Sequence, residues 1–184
     1  MNDLEIIKKC QEGDSDDFGI LYDRYVDKIY NSIYLKTYNK EVSEDLTSDT
    51  FFKVLNKIDL IDVSGKYTFN SWIYKVAYNN IIDFYKTKKE ELNIEDLYDL
   101  GAYDDVGKHI DDKDKVKEVF EYIKGLKQEH RDILIMRLWE NLSYKEISEI
   151  TGKSVDNCKQ IFSRNMKSIN ADITTVLLIL LFII

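Results

Sequence analysis

The stretch Ser143-Tyr-Lys-Glu-Ile-Ser-Glu-Ile-Thr-Gly-Lys-Ser-Val-Asp-Asn-Cys-Lys-Gln-Ile-Phe-Ser-Arg-Asn-Met-Lys-Ser-Ile169 reads as two short helices joined by a tight turn. Ser143 and Glu146 have the spacing of a capping box, in which each side chain satisfies the other's backbone N–H. That box opens a helix through Ile147 and Ile150. Thr151-Gly152-Lys153 supplies the turn, because glycine adopts the left-handed conformation at a helix end at little cost. Ser154 caps a second helix over about 155–169. These are the dimensions of a helix-turn-helix. On the second helix Val155, Cys158, Phe162 and Ile169 are expected to face inward. Asp156, Asn157, Lys159, Gln160, Ser163, Arg164 and Lys167 are then left outward. Asn and Gln suit adenine edges, and Lys and Arg suit guanine edges or phosphates. An ordinary helical hairpin with a polar face fits the same pattern equally well.

The rest of the chain supports helices. Among 184 residues there is no proline and glycine is scarce, so an all-helical fold is favoured over a β-sandwich. With 44% hydrophobic residues the chain can bury real cores, which excludes wholesale disorder. Cys10 and Cys158 lie far apart and in no CxxC, so neither a zinc ribbon nor a thioredoxin-like site can be assembled. Reduced cytosolic thiols are the natural reading. The first residues, Met1-Asn-Asp-Leu-Glu-Ile-Ile-Lys-Lys9, contain no apolar core of a secretory signal, which points to a cytoplasmic location.

Charge divides the chain. Residues 1–89 carry 13 Lys and Arg against 15 Asp and Glu, and residues 115–184 carry 11 against 9. Residues 90–114 carry 2 against 10, so this one segment holds the whole acidic excess. It reads as a solvated linker between two domains.

Apolar periodicity predicts a short helix from Leu4 towards Gly13, then a longer one with Phe18, Leu21, Tyr22, Tyr25, Ile29, Ile33 and Tyr34 on one face. Asn39 caps a third helix, Lys40 to about Asn56, with Val42, Leu46, Phe51, Val54 and Leu55 apolar. Lys57 to Thr68 reads as a loop around Ser64-Gly65, and Phe69–Lys89 as a fourth helix. Beyond the linker, helices are expected over about 114–125 and 128–140.

The fourth helix mixes Phe69, Trp72, Tyr74, Tyr78, Asn79 and Asn80 with Lys75, Lys86, Lys88 and Lys89. These residue types stack on unpaired bases and hold phosphates, although aromatic rings at helical spacing also serve as core. No catalytic grouping is present. His109 falls in the linker, His130 has no second ligand at metal spacing, and neither a Gly-rich phosphate loop nor GxSxG occurs. The chain reads as a non-enzyme without cofactor or metal.

At these residues, from about Leu4 to Ile169, the chain resembles the extracytoplasmic-function (ECF) class of bacterial RNA polymerase sigma-70 factors. Asp45-Leu-Thr-Ser-Asp-Thr-Phe-Phe-Lys-Val54 is similar to the second conserved segment of sigma region 2. Phe69-Asn-Ser-Trp-Ile-Tyr-Lys-Val-Ala-Tyr-Asn79, followed by Asp83, is similar to that region's promoter-opening helix. Leu126-Lys-Gln-Glu-His-Arg-Asp-Ile-Leu134, Leu142 to Gly152, Ser154-Val155 and Lys159 resemble region 4. The chain departs from the family at Ser48, where a second acid or Gln is usual, and at Tyr78, where an Arg is frequent. Ile161 and Met166 stand where the recognition helix is often basic.

The resemblance implies two small helical domains: a region 2 bundle over 1–89 and a region 4 helix-turn-helix over 115–171. The acidic linker 90–114 joins them, and a hydrophobic tail, 172–184, follows. It implies a sigma factor that binds core polymerase, recognises −10 and −35 promoter elements and initiates transcription of a specific regulon. Asp45, Asp49, Thr50, Phe51, Phe52, Val54 and Leu55 would dock on the β′ clamp, and the hydrophobic side of 116–139 on the β flap. Phe69, Asn70, Ser71, Trp72, Lys75, Tyr78 and Asn79 would engage the −10 strand, with the Lys57–Thr68 loop holding a flipped base. Ser154, Asn157, Lys159, Gln160, Ser163, Arg164 and Lys167 would read the −35 duplex. An anti-sigma factor is a further implied partner. The competing reading is a stand-alone helix-turn-helix regulator that binds duplex DNA without polymerase.

The end, Ile173-Thr-Thr-Val-Leu-Leu-Ile-Leu-Leu-Phe-Ile-Ile184, is almost wholly apolar. As a helix it would extend ~18 Å against ~30 Å of hydrocarbon, too short to span a bilayer alone. A peripheral membrane contact, a truncated longer product and a partner-docking segment remain as three readings.

Overall fold

Local caps set the helix boundaries. In the computed structural model, which describes residues 1–13, 15–63, 68–91, 122–123 and 125–168, Asn2 and Glu5 form a capping box with both bonds at 2.9 Å. It opens α1, Asp3–Gln11. A 3-10 turn, Ser15–Asp17, leads into α2, Phe18–Thr37. Asn39 Oδ1 accepts from the Val42 N–H at 3.0 Å and starts α3, Lys40–Asn56. After a second 3-10 turn, Ile58–Leu60, comes α4, Phe69–Glu91. Then follow α5, Gln128–Leu138, α6, Tyr144–Thr151, and α7, Val155–Ser168. No strand occurs among the described residues.

The chain divides into two compact units, residues 1–101 and 102–184. The acidic segment 92–114, most of the helix expected over 114–125, loop positions 64–67, Ile169 and the apolar tail lie outside the described residues.

In the first unit α2 packs on α3 and α4, α3 packs on α4, and α1 lies against α2 and the Ile58–Leu60 turn. Ile6, Ile7, Leu21, Ile29, Ile33, Val54 and Ile73 are fully buried. Two faces differ from the periodicity. On α2, Leu35, Ser32 and Lys36 are buried, whereas Tyr22 is exposed. On α3, the buried stripe includes Ser43, Thr47 and Thr50. Their hydroxyls donate to the carbonyls of Asn39, Ser43 and Leu46 at 2.6, 2.6 and 2.7 Å. Satisfied within their own helix, these small side chains can be buried without an orphaned polar group. A pattern read from apolar residues alone passes over them.

In the second unit the consecutive residues Arg131 to Met136 are all buried, so α5 is its central helix. Leu142, Ile147, Ile150, Cys158 and Ile161 are buried around the turn. Ser143 Oγ accepts from the Glu146 N–H at 3.3 Å, and Glu146 Oε2 accepts from the Ser143 N–H at 2.8 Å. Gly152 closes α6 with φ 71°. Ser154 Oγ then accepts from the Asn157 N–H at 3.2 Å and opens α7.

Candidate nucleic-acid interface

The N-terminus of α4 is fixed by Thr68. Its Oγ1 accepts from the Ser71 N–H at 3.1 Å, and its carbonyl accepts from Ser71 Oγ at 3.0 Å. Ser71 is therefore a buried capping partner and is not presented to a ligand. Phe69 is likewise internal. It is 2% exposed, with its ring edge-on to Tyr25 at 5.1 Å and stacked near Trp72 at 6.4 Å. Tyr74 is buried as well. Of the sequence-predicted −10 residues, Lys75 and Asn79 are exposed, and Asn70, Trp72 and Tyr78 are half-buried. Trp72, Lys75 and Asn79 share one helix face by their i, i+3, i+7 spacing.

Behind that face stands a bond that sequence reading did not anticipate. Tyr25 Oη donates to Asp3 Oδ2 at 2.5 Å, and the same carboxylate is ion-paired to Arg24. Burial, and then the bond to Asp3, hold the Tyr25 phenol well above its ordinary range. The N-terminal helix thus braces the ring on which Phe69 packs.

The outward side of α3 carries Asp45, Asp49, Phe52 and Leu55 in one stripe. Phe52 is 65% exposed, unusual for a phenylalanine. Asp49 is ion-paired to Lys53 at 2.8 Å. Thr50, Phe51 and Val54 do not belong to this surface. All three are buried, and the Phe51 ring lies 4.8 Å from Tyr22 and 6.5 Å from Phe18. The predicted docking set of seven therefore contracts to four accessible residues.

Ser154 at the start of α7 and Asn157, Lys159, Gln160, Ser163, Arg164 and Lys167 along it are all exposed. Inward, the buried residues are Cys158, Ile161 and Asn165, with Val155 and Phe162 only half-buried. The packing stripe is thus rotated relative to the expected Val155–Cys158–Phe162 line. Ile161, standing where the family is often basic, faces the interior. Asn165 Nδ2 donates to the Ile161 carbonyl at 2.7 Å and lies 3.3 Å from His130 Nδ1. Tyr122 Oη donates to the Asn165 carbonyl at 3.1 Å. Two further ties orient the motif. Arg137 stacks on Tyr144 at 5.1 Å, and Tyr144 meets Phe162 edge-on at 5.9 Å. Lys153 Nζ donates to Glu129 Oε2 at 2.9 Å, which holds that carboxyl below its ordinary value. Of the apolar side of 116–139, Ile123 and Ile133 to Met136 are buried and Leu138 and Trp139 are half-buried, while 116–121 lie outside the described residues. Among the described residues no group of three His, Cys, Asp or Glu side chains is arranged to hold a metal. No helix there is long and apolar enough to cross a membrane.

Residues 21–91 match sigma-70 region 2, and residues 117–169 match sigma-70 region 4. The chain belongs to the sigma-70 family. Among its relatives is the ECF RNA polymerase sigma factor BldN of Streptomyces coelicolor, 27% identical over 90% of this chain and 64% of that protein. The RNA polymerase sigma factor YlaC of Bacillus subtilis is 28% identical over 84% of this chain and 90% of that one. The fold is shared with the sigma factor RpoE of Bartonella quintana, solved in complex with the anti-sigma factor NepR. The TM-score is 0.71 at 15% identity, over 91% of this chain and 98% of that one. With both sigma regions in one chain, the protein is an RNA polymerase sigma factor of the ECF class and not a stand-alone helix-turn-helix regulator. In this sigma factor α3 and α4 fall within region 2, and α5 to α7 within region 4.

Proposed function

We propose that this sigma factor binds core polymerase through α3, opens the −10 element with α4 and reads the −35 element with α7. The observation that carries the reading is the co-occurrence of both sigma regions with exposed helix faces whose chemistry suits these steps. On α3 the apolar pair Phe52 and Leu55, rimmed by Asp45 and Asp49, suits a basic-edged apolar surface such as the β′ clamp. On α4 the half-buried Trp72 offers a stacking plane, Lys75 a phosphate contact and Asn79 an amide for a base edge. Unstacking a base costs a few kcal/mol, which such contacts must offset. On α7, Asn157 and Gln160 suit adenine edges, while Lys159, Arg164 and Lys167 suit guanine edges or phosphates.

The acidic segment of about 25 residues has a chain length of at most ~80 Å. That length suits a connector between DNA sites lying apart on one promoter. Neutralising Asp104, Asp105, Asp111 and Asp112 is expected to weaken holoenzyme function more than duplex binding. The protein acts as an initiation factor with no chemistry of its own, in the cytoplasm where its polymerase works, and is controlled by an anti-sigma factor. A membrane contact through 173–184 is tested by vesicle flotation of the full chain against a form ending at Asp172.

Promoter-dependent run-off transcription with sigma-free core polymerase tests the whole reading. Selective initiation on addition of the protein supports it. Duplex DNA binding without co-purification of polymerase would return the stand-alone regulator.

A further inference from the structure

We propose that Leu60 is a docking residue for core polymerase, on a turn that Gln11 of the N-terminal helix holds in shape. The inference rests on the polymerase-binding reading above and extends that surface beyond α3.

Leu60 sits at the end of the 3-10 turn that follows α3. It is 76% exposed, more than any other large hydrophobic side chain among the described residues. An exposed leucine alone means little. The framework around this one is what sets it apart. Ile58 and Ile61, on either side, are buried. Gln11 Nε2 donates to the carbonyls of these same two residues, at 2.8 and 3.0 Å. Within the turn the Leu60 N–H donates to Lys57 O at 2.9 Å, and the Ile61 N–H to Ile58 O at 3.1 Å. The backbone is thus pinned on both sides of an apolar side chain left in water. Gln11 is itself well founded, because Ile6 and Ile7 of its helix are fully buried and Asp3 is tied to Tyr25. A contact held ready in this way loses little conformational freedom on binding.

Charge selects the partner. Asp59 and Asp62 flank Leu60 and are both exposed, and Lys57 is the one basic residue between Lys53 and Lys66. Carboxylates beside an apolar tip are repelled by a phosphate backbone. They suit a protein surface in which basic groups surround an apolar hollow. The outward stripe of α3 has this same makeup, with Phe52 and Leu55 beside Asp45 and Asp49, and α3 runs directly into the turn. The occupant is therefore the core polymerase. The first part of the Lys57–Thr68 connection is assigned to protein rather than to a flipped base.

The test titrates full-length protein against labelled sigma-free core polymerase, using wild type, Phe52→Ala, Leu60→Ala, Gln11→Ala and the double variant of Gln11 and Leu60. Leu60→Ala is expected to weaken core binding about tenfold, as for a leucine side chain that leaves water on binding. Its thermal midpoint should stay at the wild-type value, since the side chain is exposed. Gln11→Ala is expected to weaken binding several-fold. The double variant should be no weaker than Leu60→Ala alone, because Gln11 acts through Leu60. At saturating polymerase, promoter melting by Leu60→Ala should match wild type. Wild-type core affinity for Leu60→Ala, with or without a melting defect, overturns the proposal. A melting defect alone would assign the tip to DNA. Should Gln11→Ala unfold α1, Leu60→Ala by itself still decides. Failure of wild type to bind core would instead remove the underlying reading, whereas loss in Phe52→Ala but not Leu60→Ala removes only this extension.

Discussion

Lys53 donates from Nζ to Asn80 Oδ1 at 2.6 Å, joining the helix that carries Phe52 and its flanking acidic residues to the helix that carries Trp72. The bond has a surface end and a buried end. At the surface Lys53 is ion-paired to Asp49, and inside, Asn80 Nδ2 donates to Thr50 Oγ1 at 2.9 Å. Asn80 is 4% exposed, so its amide has exchanged water for these two partners.

Removing the buried end should therefore cost more than removing the exposed one. Asn80→Ala is expected to lower the stability of the first unit by about 1–3 kcal/mol, the cost of leaving buried partners unsatisfied. Asp49→Asn should change it by less than about 1 kcal/mol, as for other solvent-screened ion pairs. Urea unfolding of the two variants checks this. Equal effects would mean that the interface is held by apolar packing alone.

The bond from Tyr25 to Asp3 makes a prediction about alkaline pH. Folding raises the Tyr25 phenol above its ordinary value of 10.0, so the native state holds this proton more tightly than the unfolded chain. The resulting stability is complete below pH 10 and declines as pH rises beyond it. Tyr25→Phe lacks the step. The stability gap between wild type and Tyr25→Phe should be constant from pH 7 to 9 and narrow above pH 10, measured by denaturant unfolding. A gap that widens there would reverse the sign of the assignment.

Gly152 isolates a purely conformational cost. It has φ 71°, and nothing lies within 4 Å of where a Cβ would stand. Gly152→Ala should thus destabilise the second unit by roughly 1 kcal/mol from backbone strain alone. Thermal unfolding reads the change. A neutral effect would place the turn outside the left-handed region.

Arg164 and Lys167 of α7 are both exposed. Replacing either by Ala should weaken binding to a −35 duplex and lower the log–log salt slope by about 1 if it contacts a phosphate. A loss of affinity confined to one base sequence, with the slope unchanged, would mark a base contact instead.

The helix ends were largely legible because their causes are local. Asn39, Ser143, Glu146, Gly152 and Ser154 act within three or four residues of themselves, and a sequence displays that spacing directly. The orientation of an aromatic ring is set by neighbours far along the chain. Phe69 is internal because Tyr25 lies behind it, and Phe51 because Tyr22 and Phe18 do. Both resembled family contact residues, and no local signal distinguished them from the exposed Phe52. On α7 the adjacent Ile161 and Phe162 offered two competing apolar stripes, and only packing against α5 and α6 favours the first. The bonds from Gln11 to Ile58 and Ile61 span 47 and 50 residues and leave no trace in periodicity.

Permanganate reactivity of −10 thymines, in complexes of core polymerase with wild type or Trp72→Ala, bears most directly on how this sigma factor opens DNA. The stacking plane on α4 predicts reactive thymines with wild type, and at least a tenfold loss with Trp72→Ala at unchanged core affinity. Equal reactivity in the two complexes would contradict it.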